Sequence, residues 1–188
     1  NYKYKLEQLY NAILTAGGAT VTFNHEPIQS DEPEDVPECS IVPVVEDSLD
    51  INGALPDVVK LDETKISFVS DEAEFVSESD AYEALKPIAD ILINNTGIKV
   101  LIVGSTATDG TPKGCSELSQ MRANKVKDTL IEELHVNPNQ LSTYGAGQNQ
   151  TPFRVNDIID GKLVESEAAK NRAVYIVNSD SAVAKSFI

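Results

Sequence analysis

Basic side chains are scarce in this chain of 188 residues, which has 15 Lys and Arg, 30 Asp and Glu and a formal net charge of −15. Residues 1–59 hold eleven acids and two lysines, and no basic residue occurs between Lys5 and Lys60. The shortage argues against binding of nucleic acid, which depends on cationic contacts with phosphate. It also argues against electrostatic docking on an anionic membrane surface. The uneven charge predicts two differently built segments.

Long apolar runs, cysteine and histidine are also scarce. No run approaches the roughly 18–20 apolar residues that span a bilayer, so we expect no membrane insertion by this chain. The two cysteines, Cys39 and Cys115, permit one disulfide, and their spacing excludes a CxxC motif. His25 and His135 are isolated, so the sequence predicts neither a metal site nor a cofactor. A start at asparagine without a signal peptide is typical of a processed or engineered fragment.

The acidic first segment contains two predicted parts. Residues 1–28 read as an amphipathic helix and the strand "ATVTF", with Gly17 and Gly18 ending the helix. A lone helix and strand cannot bury both apolar faces, so residues 1–28 are predicted to be the tail of a preceding domain. Residues 29–57 are acidic and contain four prolines, which predicts an extended linker.

Residues 58–180 show a regular alternation of strand and helix patterns. "KISFVS" predicts a strand, and a helix follows with Ser79 or Asp80 as N-cap and Gly97 as its stop. Its predicted inward face comprises Tyr82, Leu85, Ile88, Ala89, Leu92 and Ile93.

The second half of this region continues the alternation. "IKVLIVGST" predicts a strand central in its sheet and covered on one face. "SELSQMRANKVKDTLIEELHV" predicts a second long helix that turns Arg122 and Val126 inward, and "LSTYGAG" a strand. A short helix in "LVESEAAKN" and a final strand in "RAVYIVN" follow. The order β-α-β-α-β-(α)-β predicts an α+β sandwich, with two long helices on one face of a mixed sheet.

Five sequence pieces in this region, in order, resemble the OmpA-like (OmpA/MotB/Pal) peptidoglycan-binding domain of bacterial envelope proteins. They are "ISFVSDEAEF", "VLIVGST", "LSQMRANKVKDTL", "YGAGQNQTP" and "NRAVYIV". The resemblance implies non-catalytic binding of a peptidoglycan stem peptide. In the family an arginine and helix-terminal N–H groups hold the carboxylates of diaminopimelate, and an aspartate holds its ammonium. That chemistry is sound, because arginine binds carboxylate bidentately and a helix N-terminus favours anions.

Three positions depart from the family pattern. The arginine is retained as Arg122, but the aspartate of G-x-T-D is Ala107, a helix-start asparagine is Cys115, and the second arginine of N-R-R is Ala173. Asp109, in a turn before Gly110, or Asp71, after the first strand, is a candidate to replace the missing acid. The alternatives are a solvated turn for Asp109 and, for Arg122, an internal salt bridge to either acid. The predicted ligand-binding residues are Arg122, Asp109, Thr106, Asp71, Ser119 and Arg172.

Cys115 has three open interpretations. A thiol at a helix N-terminus can be a nucleophile, a disulfide to Cys39 would suit an exported protein, and a small packed residue is the third. Catalysis also needs a base and an orienting group, and neither histidine is placed to serve. We therefore expect no enzyme.

The sequence is compatible with two hypotheses about function. The first is a wall-binding module of the cell envelope or extracellular space, with the stem peptide and other envelope proteins as partners. The second is a degenerate domain that has lost the wall ligand and serves as a structural or protein-interaction module.

Overall fold

A four-stranded mixed sheet organises the computed structural model, which describes residues 54–187. The strands pair in the order β1-β6-β2-β3, where β2 is parallel to β3 and β6 is antiparallel to both β1 and β2. A two-stranded hairpin, β4 and β5, stands apart from this sheet. The strands are β1 (Val58–Asp62), β2 (Val100–Ser105), β3 (Leu141–Gly147), β4 (Ile158–Ile159), β5 (Lys162–Leu163) and β6 (Ala173–Asn178).

Three α-helices and two 3-10 helices connect the strands. They are α1 (Glu78–Asn94), α2 (Pro112–Glu132) and α3 (Glu165–Asn171), with 3-10 helices at Pro138–Gln140 and Ala182–Ser186. Thr111 caps α2, since its hydroxyl accepts the N–H of Gly114. None of the described helices is long and apolar enough to cross a membrane.

The core has two parts, one on each face of the sheet. Alternate residues of the strands, such as Ile102 and Ile176, pack with Leu85 of α1 and Val126 of α2. The predicted α+β sandwich, with both long helices on one face, is thereby confirmed.

Aromatic residues cover the opposite face of the sheet. The rings of Phe153 and Tyr175 stack at 5.3 Å, and Phe187 packs against both. The prediction that β2 is central is confirmed, because it lies between β6 and β3. The prediction that it is covered on one face is wrong, because this aromatic cluster closes the second face.

The prediction of the first strand is wrong. "KISFVS" does not form a strand, and Phe68 makes only an isolated bridge with Phe75. The edge strand is instead β1, which begins at Val58, seven residues before the predicted strand, and pairs with β6. The chain then turns at Asp71, whose φ is 58°. That left-handed conformation is incompatible with a continuing strand.

Helix ends and faces also differ in detail from prediction. The N-cap of α1 is Ser77, whose hydroxyl accepts the N–H of Asp80, and α1 ends at Asn94 before Gly97 is reached. Tyr82 and Ile93, expected inward, are 37% and 45% exposed. The interpretations of residues 1–28 and of nearly all of 29–57 lie outside the described residues.

Candidate functional site

A cleft of about 960 Å³ opens where the carboxyl end of β2 meets the amino end of α2. Four parts of the chain surround it: the segment between β1 and α1, the loop between β2 and α2, the first half of α2, and the junction of α3 with β6. Its lining includes Glu63, Phe68, Asp71, Thr106, Ala107, Asp109, Cys115, Glu117, Met121, Arg122, Glu165 and Arg172.

Glycines in β2 and β3 set the distance between α2 and the sheet. A Cβ on Gly104 would lie 2.1 Å from the carbonyl oxygen of Ser119, and one on Gly145 would lie 2.7 Å from that of Ser116. The Ser119 hydroxyl accepts the N–H of Gly147 at 2.9 Å. Ser119, predicted to bind ligand, is fully buried and is not among the residues that line the cleft. Its hydroxyl holds α2 against β3.

Arg122 joins α2 to the segment between β1 and α1. Its Nε donates to the carbonyl of Glu72 at 2.9 Å and its Nη2 to that of Val69 at 3.1 Å. The guanidinium lies 4.9 Å from the centre of the Phe68 ring, a cation–π distance. Arg122 is 9% exposed, as its predicted inward position requires. Burial lowers the pKa of Arg122, against the opposing charge of Asp71.

Asp71 and Asp109, the two candidates for the missing acid, approach the cleft from different loops. Both are exposed and both line it. Gly110 has a φ of 90°, so the turn predicted after Asp109 is present. Ala107, where the family has its acid, is 4% exposed on the cleft wall. The site therefore has carboxylates at its rim, and Ala107 in place of an acid deeper in the wall.

Arg172 reaches the cleft already paired with two carboxylates. Its Nε donates to Glu63 Oε1 at 2.6 Å, and its Nη2 donates to Glu165 Oε1. The hydrogen bond to Glu63 raises the pKa of Arg172, against the effect of burial. The charge of Arg172 is thus compensated within the chain.

Thr106 contributes a buried hydroxyl to the cleft wall. The residue is 5% exposed, and its N–H donates to the carbonyl of Gly147 at 2.9 Å. Its Oγ1 has no hydrogen-bond partner within residues 54–187. A buried hydroxyl without a partner is costly.

A buried network around Arg154 and Asp157 holds the loop between β2 and α2. Arg154 donates to the carbonyl of Thr106 at 2.8 Å and to the hydroxyl of Thr108 at 2.6 Å. Asp157 accepts the N–H of Thr108 at 2.7 Å and the side-chain amide of Asn171 at 2.9 Å. Arg154 and Asp157 were not predicted from the sequence, since no motif or spacing joins them to Thr106 and Thr108, almost 50 residues away.

Asp157→Asn is expected to lower the free energy of unfolding by about 1–3 kcal/mol at neutral pH, because Arg154 loses its buried charged partner. Burial opposes ionisation of Asp157, but hydrogen bonds from Thr108 and Asn171 outweigh it and hold its pKa below 3.8. The stabilisation is complete above that value and is lost as pH falls through the folded-state pKa. Urea unfolding from neutral pH to about pH 2 measures the difference, which should shrink on acidification.

The matched control for this experiment is Asp160→Asn, which removes the same charge from an exposed turn residue. It should change the free energy of unfolding by less than about 0.5 kcal/mol. A difference between wild type and Asp157→Asn that stayed constant down to about pH 2 would show that shape, and not charge, stabilises the network.

Cys115 is a free thiol in the described structure. It is 5% exposed, and its Sγ donates to the carbonyl of Asp109 at 3.0 Å. His135 lies beyond the far end of α2, at a helical rise of roughly 30 Å from Cys115. Among residues 54–187, no three His, Cys, Asp or Glu side chains are grouped to hold a metal ion. Within the described residues Cys115 is a packed side chain. Cys39 lies outside the described residues, so the disulfide interpretation stays a prediction.

Comparison with known proteins places this fold and cleft in a family. Outer membrane porin F of Pseudomonas aeruginosa is 27% identical over 119 residues, which are 62% of this chain and 33% of that protein. The match thus spans about a third of that relative's length. The periplasmic domain of Helicobacter pylori MotB is 24% identical with a TM-score of 0.51, over 68% of this chain and 80% of that one.

A further solved structure is the peptidoglycan-associated lipoprotein of Burkholderia pseudomallei. It is 22% identical with a TM-score of 0.49, over 63% of this chain and 87% of that one. The sequence profile of the OmpA family matches residues 67–162, just over half of the chain. This α+β sandwich belongs to the OmpA family.

Proposed function

We propose that this domain binds the stem peptide of bacterial peptidoglycan without catalysis and anchors an envelope protein to the wall. One observation carries the proposal: five of the six predicted ligand-binding residues line a single cleft. They are Arg122, Asp109, Thr106, Asp71 and Arg172. Membership of the OmpA family and the resemblance to its peptidoglycan-binding domains supply the ligand class. The cell envelope is the location that follows.

The chemistry of the cleft suits a stem peptide that carries an ammonium group, bound with modest affinity. The N–H groups at the amino end of α2 can donate to a carboxyl or carboxamide oxygen. Asp109 and Asp71 at the rim offer partners for an ammonium. Each charged hydrogen bond stabilises the complex by about 1.5–3 kcal/mol before desolvation and ordering are subtracted.

The second candidate function is a protein-interaction module without a wall ligand. Two observations favour it. Arg122 already donates to two backbone carbonyls, and Arg172 is already paired with two glutamates. In this case the partner is another envelope protein.

Calorimetric titration of a diaminopimelate stem peptide, and of its lysine counterpart, separates the two candidates. We expect saturable binding of one or both peptides to the wild type. Asp109→Ala should weaken this binding at least about tenfold, because the ammonium of the peptide loses a carboxylate partner. The matched control is Asp128→Ala, which removes an acid on α2 away from the cleft. Absence of saturable binding at millimolar peptide would favour the second candidate.

A further inference from the structure

Acids outnumber bases on the wall of the cleft. Glu63, Asp71, Asp109, Glu117 and Glu165 line it, against the two arginines 122 and 172. Glu117 also pairs with Lys113 at 3.6 Å, so five acids against three bases leave an excess of two negative charges at the cleft. A cleft lined mainly by one sign of charge attracts ligands of the opposite sign and repels those of the same sign.

Both arginines of the cleft are already engaged by groups of the chain itself. Arg172 shares its charge between Glu63 and Glu165, so this group of three carries a net negative charge. Arg122 uses Nε and Nη2, one complete edge of its fork, on backbone carbonyls. Bidentate binding of a carboxylate along that edge would require both bonds to break, so only the Nη1–Nη2 end of Arg122 remains for a ligand.

Two acids of the cleft remain available to a cation. The carboxylates of Asp71 and Asp109 make no ion pair or hydrogen bond with another residue of the described range 54–187, and of these two acids only Asp71 acts on Arg122, through its charge and from a longer distance. They come from two separate loops. An ammonium group in the cleft can therefore pair with Asp71 or Asp109, although Ala107 replaces the aspartate that the family has deeper in the wall.

Thr106 supplies an independent indication of a ligand. The residue lines the same cleft, and its buried hydroxyl lacks a partner within residues 54–187. A hydroxyl both donates and accepts, so it can pair with a neutral carboxamide or accept from an ammonium. Binding of such a group would satisfy an atom that the chain alone leaves unsatisfied.

We infer that the cleft selects stem peptides whose diamino acid carries an ammonium but no free side-chain carboxylate, as in lysine or an amidated diaminopimelate. The inference rests on the proposed wall-binding function and names the ligand within it. A free carboxylate on the same carbon as the ammonium meets the excess acids and an arginine whose fork is engaged. Lysine and the carboxamide avoid that repulsion, so selectivity arises mainly from rejection of the charged analogue.

Three synthetic stem peptides that differ only in the third residue test this inference: diaminopimelate, its side-chain carboxamide, and lysine. Titrated into the full chain at low salt, the carboxamide and lysine peptides should bind at least about tenfold tighter than the free-carboxylate peptide. The preference should shrink as salt is raised, because exposed charges are screened.

Paired variants locate the source of the preference. Asp71→Asn combined with Asp109→Asn should reduce it to less than about threefold, since the rim acids no longer attract the ammonium or repel the carboxylate. Asp128→Asn, with the same loss of charge on α2 away from the cleft, should leave it unchanged. Circular dichroism confirms that each variant is folded.

The outcomes separate the two proposals. Equal or tighter binding of the free-carboxylate peptide would overturn the inference and leave the wall-binding function standing. A preference that survives the double variant would also overturn it, because the rim acids would not be its cause. If none of the three peptides saturates at millimolar concentration, the wall-binding function itself is wrong, and the inference fails with it.

Discussion

Gly104→Ala is expected to lower the free energy of unfolding by about 3 kcal/mol or more, because the added methyl group overlaps the helix backbone. The new Cβ would lie 2.1 Å from the carbonyl oxygen of Ser119 and 2.8 Å from its carbonyl carbon. Backbone atoms cannot rotate away as a side chain can, so α2 must shift off the sheet. Urea unfolding at neutral pH measures the change.

The matched control is Gly97→Ala, where an added Cβ meets nothing within 4 Å. We expect it to change the free energy of unfolding by less than about 0.5 kcal/mol. Since Ser119 and Arg122 lie on the displaced helix, Gly104→Ala should also weaken peptide binding. Near-equal unfolding free energies for the two alanine variants would contradict the close contact of β2 with α2.

Arg122→Ala is expected to lower the free energy of unfolding by about 2–4 kcal/mol. Two charge-assisted hydrogen bonds of about 1.5–3 kcal/mol each are lost, partly replaced by water on the exposed loop. The cation–π contact with Phe68 is lost as well. Urea unfolding measures the total. Amide hydrogen exchange over residues 66–76 should accelerate more than exchange in α1, because Arg122 binds this segment at two carbonyls.

The matched control is Lys125→Ala on the same helix. Lys125 pairs with Glu74 and Glu78, but its side chain is 27% exposed and both glutamates are 64% exposed. Exposed pairs of this kind contribute about 0–1 kcal/mol. Equal losses of unfolding free energy in Arg122→Ala and Lys125→Ala would show that the buried hydrogen bonds of Arg122 stabilise the fold no more than exposed ion pairs do.

Arg122 is both a proposed ligand-binding residue and a structural residue, so the effect of Arg122→Ala on peptide binding has two causes. They are the missing charge and a released segment that carries Asp71. Asp109→Ala changes an exposed side chain without a structural partner in the described residues. It is therefore the sharper probe of ligand contact.

Much of the fold was predictable from the sequence because local signals are strong there. The apolar run of β2, the helical spacing of Leu85, Ile88 and Leu92, and the glycines at the end of β3 each act within a few residues of the chain. Arg122 was correctly placed inward from helical period alone. The edge strand β1 was missed, since pairing with β6 depends on residues more than 100 positions later.

What the sequence alone determined is the alternation of strands and helices, the inward Arg122, and the family whose acid is here Ala107. Only the tertiary structure decided which groups the arginine side chains bind. Arg122 binds carbonyls instead of an acid, Arg172 is neutralised by two glutamates, and Arg154 with Asp157 holds the loop between β2 and α2. The physical reason is distance along the chain. The periodicity of apolar residues predicts whether a side chain points toward the core. The partner of a charged side chain cannot be predicted in this way, because only folding brings the two groups within hydrogen-bonding distance.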